Sequence, residues 1–526
     1  MTRALGQLLL VGALSLVAGL AFATGKVLHR SGTQDPATLD PHRFAFPGEV
    51  QIVSDLFLGL LTLDPAAKPM AGAAESWTVS ADGLTWELRL REGLTWSDGR
   101  ALTAADYEWS FRRMLDPATA FPFAARLYAI RNARQVNTGE LPVAELGVKA
   151  LDARRIRIEL AHPAPYFPEV LATYSSPAPR HLVEARPNDW FRAGVMVTNG
   201  PFILEQWVPN SHVRLRKNPR FYDAANVALD AVVHVHPGDA ASAMRRFRAG
   251  ELDVVLVVPP DQLDWARSNL PKELRLSPGF GLEHVAFNTR RPPFDDARVR
   301  RAVSMSVDRD ALARHITRAG ETPAFGLVPL GASNYPKPAQ AAFAGQAQSE
   351  RAKQARALLA EAGYTAAKPL KFTLTYPSGD INRRVAVALA AMWQAVGMRA
   401  ELRALELKAL VGEVGRGEFD AVRFQWLAGT TDPVSFLERL ESGAGALNQS
   451  GYANARYDAL VREAERTADI GRRAALLAQA ETLALAEHPV APLYYYTGRR
   501  LVSTRVSGWV ENVRGVHVSR WLDLRD

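Results

Sequence analysis

Residues 419–438 read FDAVRFQWLAGTTDPVSFLE, and the order of their parts decides the fold. A run of strand character, 419–427, enters a turn of small and hydroxyl residues that Asp432 and Pro433 close. Two similar runs precede it, KPLKFTLTYP at 368–377 and MRAELRAL at 398–405. Between and before them, residues 350–362 stop at Gly363 and residues 383–396 stop at Gly397, and 295–320 carries apolar residues at the same helical spacing. Strands alternating with helices predict an α/β lobe with a mixed or parallel sheet. Ligands of such sheets bind beyond the carboxyl ends of strands, where the turn beginning at Ala428 lies. Trp426 therefore either fills a core or faces a ligand.

The first half of the chain has a different rhythm. WTVSADGLTWELRLREGLTW, residues 77–96, alternates apolar and polar positions between Asp-Gly and Glu-Gly turns, as hairpins do. Residues 155–160 and 212–216 alternate in the same way. At 526 residues the chain exceeds what one core serves, so two or three compact domains are expected. Hydrophobic residues at 48% and charged residues at 22% describe an ordinary globular protein.

The net charge of +8 raises the question of an anionic partner. Acidic and basic residues are interspersed in RRMLD, RFRAGELD and RRAVSMSVDRD, and no basic stripe appears, so nucleic acid is not expected. The absence of cysteine excludes disulfides, thiolate metal sites, cysteine nucleophiles and lipid attachment at an N-terminal cysteine. Residues 1–23 read as a signal peptide, with a short basic start, an apolar run and Ala21-Phe22-Ala23 before the cut; an uncleaved anchor is the alternative. Export to the periplasm follows.

Chemistry motifs are sparse. His234 and His236 in AVVHVHPG share one face of a strand, but no HExxH occurs; packing or surface histidines are expected. No GxSxG elbow, P-loop or dinucleotide fingerprint in a supporting context is present, and the pair Asp295-Asp296 is explained as a helix cap. Neither a cofactor nor catalysis is expected.

A series of motifs in a fixed order then carries a resemblance over almost the whole chain. TLDPH (38–42), DLFLGLL (55–61), WSDGRALTAADYEWSFRRMLDP (96–117), TNGPFILEQW (198–207), LRKNPRFYD (215–223), FNTRRPPFDDARVRRAVSMSVDRDAL (287–312), LLAEAGY (358–364) and PVAPLYYYTGRRLV (489–502) occur with the opening stretch. Together they resemble the oligopeptide- and dipeptide-type substrate-binding proteins of bacterial ABC importers, solute-binding family 5. The resemblance implies an α/β bilobal periplasmic-binding-protein fold of the large three-domain type, with mixed sheets and a hinge. It implies one lobe from 24–57, 182–282 and 491–526, an inserted small domain at 58–181, and a second lobe at 283–490. A monomer would capture a peptide or peptide-like ligand between the lobes and pass it to an inner-membrane permease and its ATPase.

The resemblance also nominates residues. Arg423 and Trp426 match the family, Arg423 as a receiver for a carboxylate and Trp426 as the cleft floor. In peptide-binding relatives an aspartate three positions after the tryptophan pairs with the ligand's α-ammonium group; here that position is Gly429, beside Ala428. An ammonium buried without a counter-charge is costly, and Asp432 is either its replacement or a turn cap. Asn382 stands where a histidine meets longer peptides, and Leu407 and Val414 replace an aromatic and a basic residue. Asn199 in the Asn-Gly-Pro turn is a candidate contact, with Gly200 serving backbone geometry. Of Tyr494, Tyr495 and Tyr496, alternate rings face opposite sides; Tyr495 is the nominated contact and at least one other belongs to a core.

Overall fold

The computed structural model describes residues 25–32, 35–44 and 47–525. The leader reading of residues 1–23 lies outside them. Two long strands, Leu274–Phe287 and Val490–Val502, organise everything else. They run antiparallel, from Leu274 opposite Leu501 to Ala286 opposite Val490, and their register breaks between Pro278 and Leu282.

One half of the protein is built on one end of this pair. Here Val254–Val255, Val27–Ser31, Ala231–Val235, His212–Lys217 and Phe202–Val208 extend the sheet in that order. The N-terminal strand is parallel to both of its neighbours. It is therefore buried on both sides, which suits its burial pattern and that of the wholly buried Ala231–Val235. The other end carries Ala421–Leu427 antiparallel to Leu274–Phe287, then Leu370–Pro377 and Met398–Leu405, both parallel. The sheet is mixed, as strand–helix alternation with an added antiparallel member requires.

The alternating first-half residues form a separate four-stranded antiparallel sheet, in the order Ala74–Val79, Thr85–Leu90, Arg155–Glu159 and Val148–Ala150. Helix Ala104–Leu115 buries Tyr107, Phe111, Met114 and Leu115, and its start is held by the Asp106 carboxylate, which accepts from the Thr103 N–H at 2.8 Å. This unit shares one continuous core with the first half.

In the second half two cores, one around Trp426 and Leu477 and the other around Trp393 and Phe287, cover the faces of the sheet. The helical spacing at 295–320 resolves into Ala297–Met305 and a second, partly π-helical segment from Arg309 to Thr317. Asp308 interrupts the run because its carboxylate accepts from the Ala311 N–H at 2.9 Å and starts a new helix. Asp296 caps the first piece, accepting from the Arg298 N–H at 2.8 Å.

Candidate functional site

The strand Ala421–Leu427 ends at an open cavity of about 500 Å³. Its wall draws on the N-terminal region, on Arg126 and Tyr174, on the bulge at Pro278–Phe280, on 427–431, and on Tyr496, Arg500 and Arg514 from the C-terminal end. The crossing strands lose register at this same place, so the two halves meet around the cavity.

The opening stretch divides at Leu427. The expectation that Trp426 floors the cleft is corrected, since its indole is 1% exposed, lies 4.3 Å from the His284 ring and donates from Nε1 to Gln449 at 3.2 Å. Burial in this apolar setting holds His284 neutral and pushes its pKa down to about 3. Leu427, Ala428, Gly429, Thr430 and Thr431 do line the cavity. Ala428 and Gly429 are thus the two nominated residues that the structure brings to it.

The others are committed elsewhere. Asp432 is fully buried, with its carboxylate oxygens receiving Arg473 Nη1 and Nη2 at 2.8 Å each; Oδ1 also accepts from the Val434 N–H at 2.9 Å. It is a turn cap and half of a bidentate pair, not a partner for an ammonium. Arg423 lies 2.9 Å from Glu283 and donates to Asn382 at 2.6 Å and to Tyr494 at 3.0 Å, so neither Arg423 nor Asn382 reaches the cavity. Burial pushes the Glu283 carboxyl above its ordinary range, with Arg423 opposing.

Asn199 is also structural. Its side chain accepts from the Leu58 N–H at 3.0 Å and donates to the Leu58 carbonyl at 2.9 Å, clamping one residue of a distant segment. Any Cβ on the adjacent Gly200 would fall 2.5 Å from the Leu56 carbonyl, which explains the glycine. Tyr495 donates to the Gly326 carbonyl at 3.1 Å, and Tyr494 is core. The exposed ring at the cavity is Tyr496. His234 and His236 are buried, against Asp55 at 3.3 Å and Asp35 at 3.7 Å, so the surface alternative for them falls away.

Sequence reasoning missed the cavity's charges. Arg126, Arg499, Arg500 and Arg514 line it, and no aspartate or glutamate does so among the described residues. Arg499 is paired with Glu321 at 3.4 Å. Arg500 donates to Ser277 at 3.0 Å, and its Nε, although buried, has no acceptor. Arg514 donates to Thr173 at 2.8 Å and to the Gly429 carbonyl at 3.2 Å, with Glu169 at 3.9 Å. Burial lowers the pKa of both Arg500 and Arg514, opposed by Glu511 and Glu169 respectively. A signal existed for Arg500, which follows Tyr496 in the same motif. Arg126 and Arg514 meet Gly429 only through the fold.

Gly429 itself is held closely. A Cβ there would lie 3.1 Å from the Tyr174 hydroxyl and 3.3 Å from Arg126 Nε. Next to it, Glu169 accepts from the Thr431 N–H at 2.6 Å, from the Thr431 hydroxyl at 2.6 Å and from the Ser333 hydroxyl at 2.9 Å. One buried carboxylate of the first half thereby ties it to the second half beside the cavity.

Comparison with known proteins agrees with this architecture. Residues 68–448 match the model of the bacterial extracellular solute-binding proteins, family 5. The Escherichia coli protein named "Probable deoxycholate-binding periplasmic protein YgiS" is 36% identical over 499 residues, covering 94% of this chain and 92% of that one. The structure of the Escherichia coli murein tripeptide binding protein MppA superposes with a TM-score of 0.80 at 31% identity, covering 95% and 99% of the two chains. Haemophilus influenzae OppA in complex with RPPGFSPFR gives 0.79 at 28%, covering 95% and 99%. With the motif order, the bilobal mixed-sheet fold and the cavity between its halves, these matches establish that the chain belongs to the bacterial extracellular solute-binding proteins of family 5.

Proposed function

We propose that this protein is an extracytoplasmic receptor that captures a peptide or peptide-like ligand between two lobes and delivers it, chemically unchanged, to an ABC-type permease and its ATPase. The carrying observation is that the cavity wall joins the register break of the two long strands to residues 48–51 and 256–257 of the first half, 427–431 of the second half, and Arg126 and Tyr174 of the proposed insertion. A ligand touching all of these couples its binding energy to their relative position, which a permease can read. The proposed division is 24–57, 182–282 and 491–526 against 283–490, with 58–181 inserted; the four-stranded sheet falls within the insertion. The periplasm, a cleaved leader at 1–23, a monomeric state and the absence of a catalytic role and of a cofactor belong to the same reading.

A non-peptide solute is the second reading, favoured by the lack of any carboxylate lining the cavity among the described residues and by the deoxycholate in the name of the 36% identical relative. Native mass spectrometry of protein purified from its own periplasm, before and after mild denaturation, tests both. One small molecule per chain, released intact, is expected. A ladder of short peptides supports the first reading and a single non-peptide compound the second. Recovery of a cleaved product would instead indicate an enzyme.

A further inference from the structure

The cavity's charge is one-sided. Among the described residues, its wall carries four guanidinium groups and no carboxylate. Elsewhere buried arginines are met by acceptors of the fold: Arg473 by Asp432, Arg423 by Glu283, and Arg309 by the Ala324, Pro492, Ser304 and Val307 carbonyls. The half-buried Arg126 side chain makes no hydrogen bond or ion pair among the described residues, although Glu438 and Tyr174 feel its charge. Arg500 and Arg514 keep buried N–H groups without acceptors, at Nε and Nη1.

Gly429 makes the arrangement possible. With no side chain at 429, where a Cβ would fall 3.3 Å from Arg126 Nε, this position offers the guanidinium no carboxylate. Around it the wall is apolar and aromatic: Phe123 and Tyr174 lie 5.6 Å apart, joined by Phe280, Leu427 and Val513. Unmet guanidinium donors over an apolar surface suit an anion on an apolar body, because guanidinium binds carboxylate bidentately and is less strongly hydrated than ammonium. A cationic group there would meet like charge and find no counter-ion.

We propose that the cavity recognises a carboxylate carried on an apolar body, received by Arg126 with Arg500 and Arg514 behind it, and that it seats no free ammonium group. This rests on the receptor reading above and names the ligand's chemistry. An amino-blocked peptide with a free carboxyl end and an alkyl carboxylate both satisfy it.

The test uses the full-length protein, stripped of ligand, and native mass spectrometry with an equimolar mixture of three probes: N-acetyl-Phe-Leu, decanoate, and Phe-Leu-amide, which carries an ammonium and no carboxylate. Retention of either acid over the amide by about tenfold or more is expected, from the strength of charged hydrogen bonds. Which acid prevails distinguishes a peptide-like source from a lipid-like one. R126Q is expected to lose about tenfold in retention of the preferred acid with an unchanged melting temperature. Gly429→Asp, placing a carboxylate beside Arg126, is expected to lose it too. Retention of Phe-Leu-amide at or above the level of the acids overturns the proposal and leaves the receptor reading intact. If R126Q and Gly429→Asp both retain the acid at the level of the unaltered protein, the assignment to Arg126 is overturned. Retention of none of the probes counts against the receptor reading and this inference with it.

Discussion

Arg473 and Arg126 flank the same turn and live by opposite rules. Arg473, in the second-half core, gives two parallel hydrogen bonds to Asp432 at 2.8 Å and is almost wholly buried. Arg126, at the cavity, is half-buried with no such partner. A buried guanidinium with its carboxylate is architecture, since separating the pair strands a charge in a low-dielectric interior. An arginine left without one contributes little to the fold and remains available to a ligand's anion. Arg423, held by Glu283, Asn382 and Tyr494, falls on the architectural side although its sequence position suggested the other.

The largest expected effect comes from breaking the architectural pair. Asp432→Asn removes the charge that holds Arg473 and should destabilise the protein by about 3–5 kcal/mol. Thermal melts would register it, while acid-probe retention by the folded fraction should stay unchanged. If retention falls with the protein folded, the division between the two arginines is wrong.

A middle effect concerns the neutral histidine on Trp426. The folded pKa of His284, about 3, lies below its ordinary 6.5, so its contribution is fully present above pH 6.5 and drains away as pH falls toward 3. Lowering the pH from 6.5 to about 5 should cost about 2 kcal/mol through this group alone. Urea titrations at the two pH values, on the protein and on His284→Gln, would show a smaller difference for the variant; an equal difference would remove His284 from the account.

The smallest effect sharpens the comparison most. Arg126→Ala touches no hydrogen bond or ion pair, so its stability should change by no more than about 0.5 kcal/mol. A drop as large as that of Asp432→Asn would make Arg126 architectural.

Much of the fold was legible because periodicity is local. The alternation in 77–96 became Ala74–Val79 and Thr85–Leu90, and the helices and strands from 348 to 427 lie where their patterns placed them. The break at Asp308 was less legible, since a cap inside an apolar-periodic run looks like one more surface residue. For the site, position at a strand's carboxyl end pointed to the turn after Trp426, which lines the cavity, yet could not say where the core stopped. Tyr496 rather than Tyr495 faces the cavity because three adjacent rings announce two faces without naming them, and which face meets the cavity depends on the bulge opposite. Glu169 meets Thr431 across 262 residues, and no local pattern reports such a contact.

The N-terminal strand has a consequence for the order of assembly. Arg30 donates to the His517 carbonyl and the Ser519 hydroxyl, the Asp55 carboxylate receives Ser519, and Lys26 reaches Asp523, spans of 464 to 497 residues. Closing loops of that length costs chain entropy before any contact repays it, which slows folding. The first half therefore cannot complete its core until the last residues of the chain have been made. In a nascent chain these contacts, and the places of Val502, Leu522 and Leu524 in the first-half core, stay unfilled until those residues have been made.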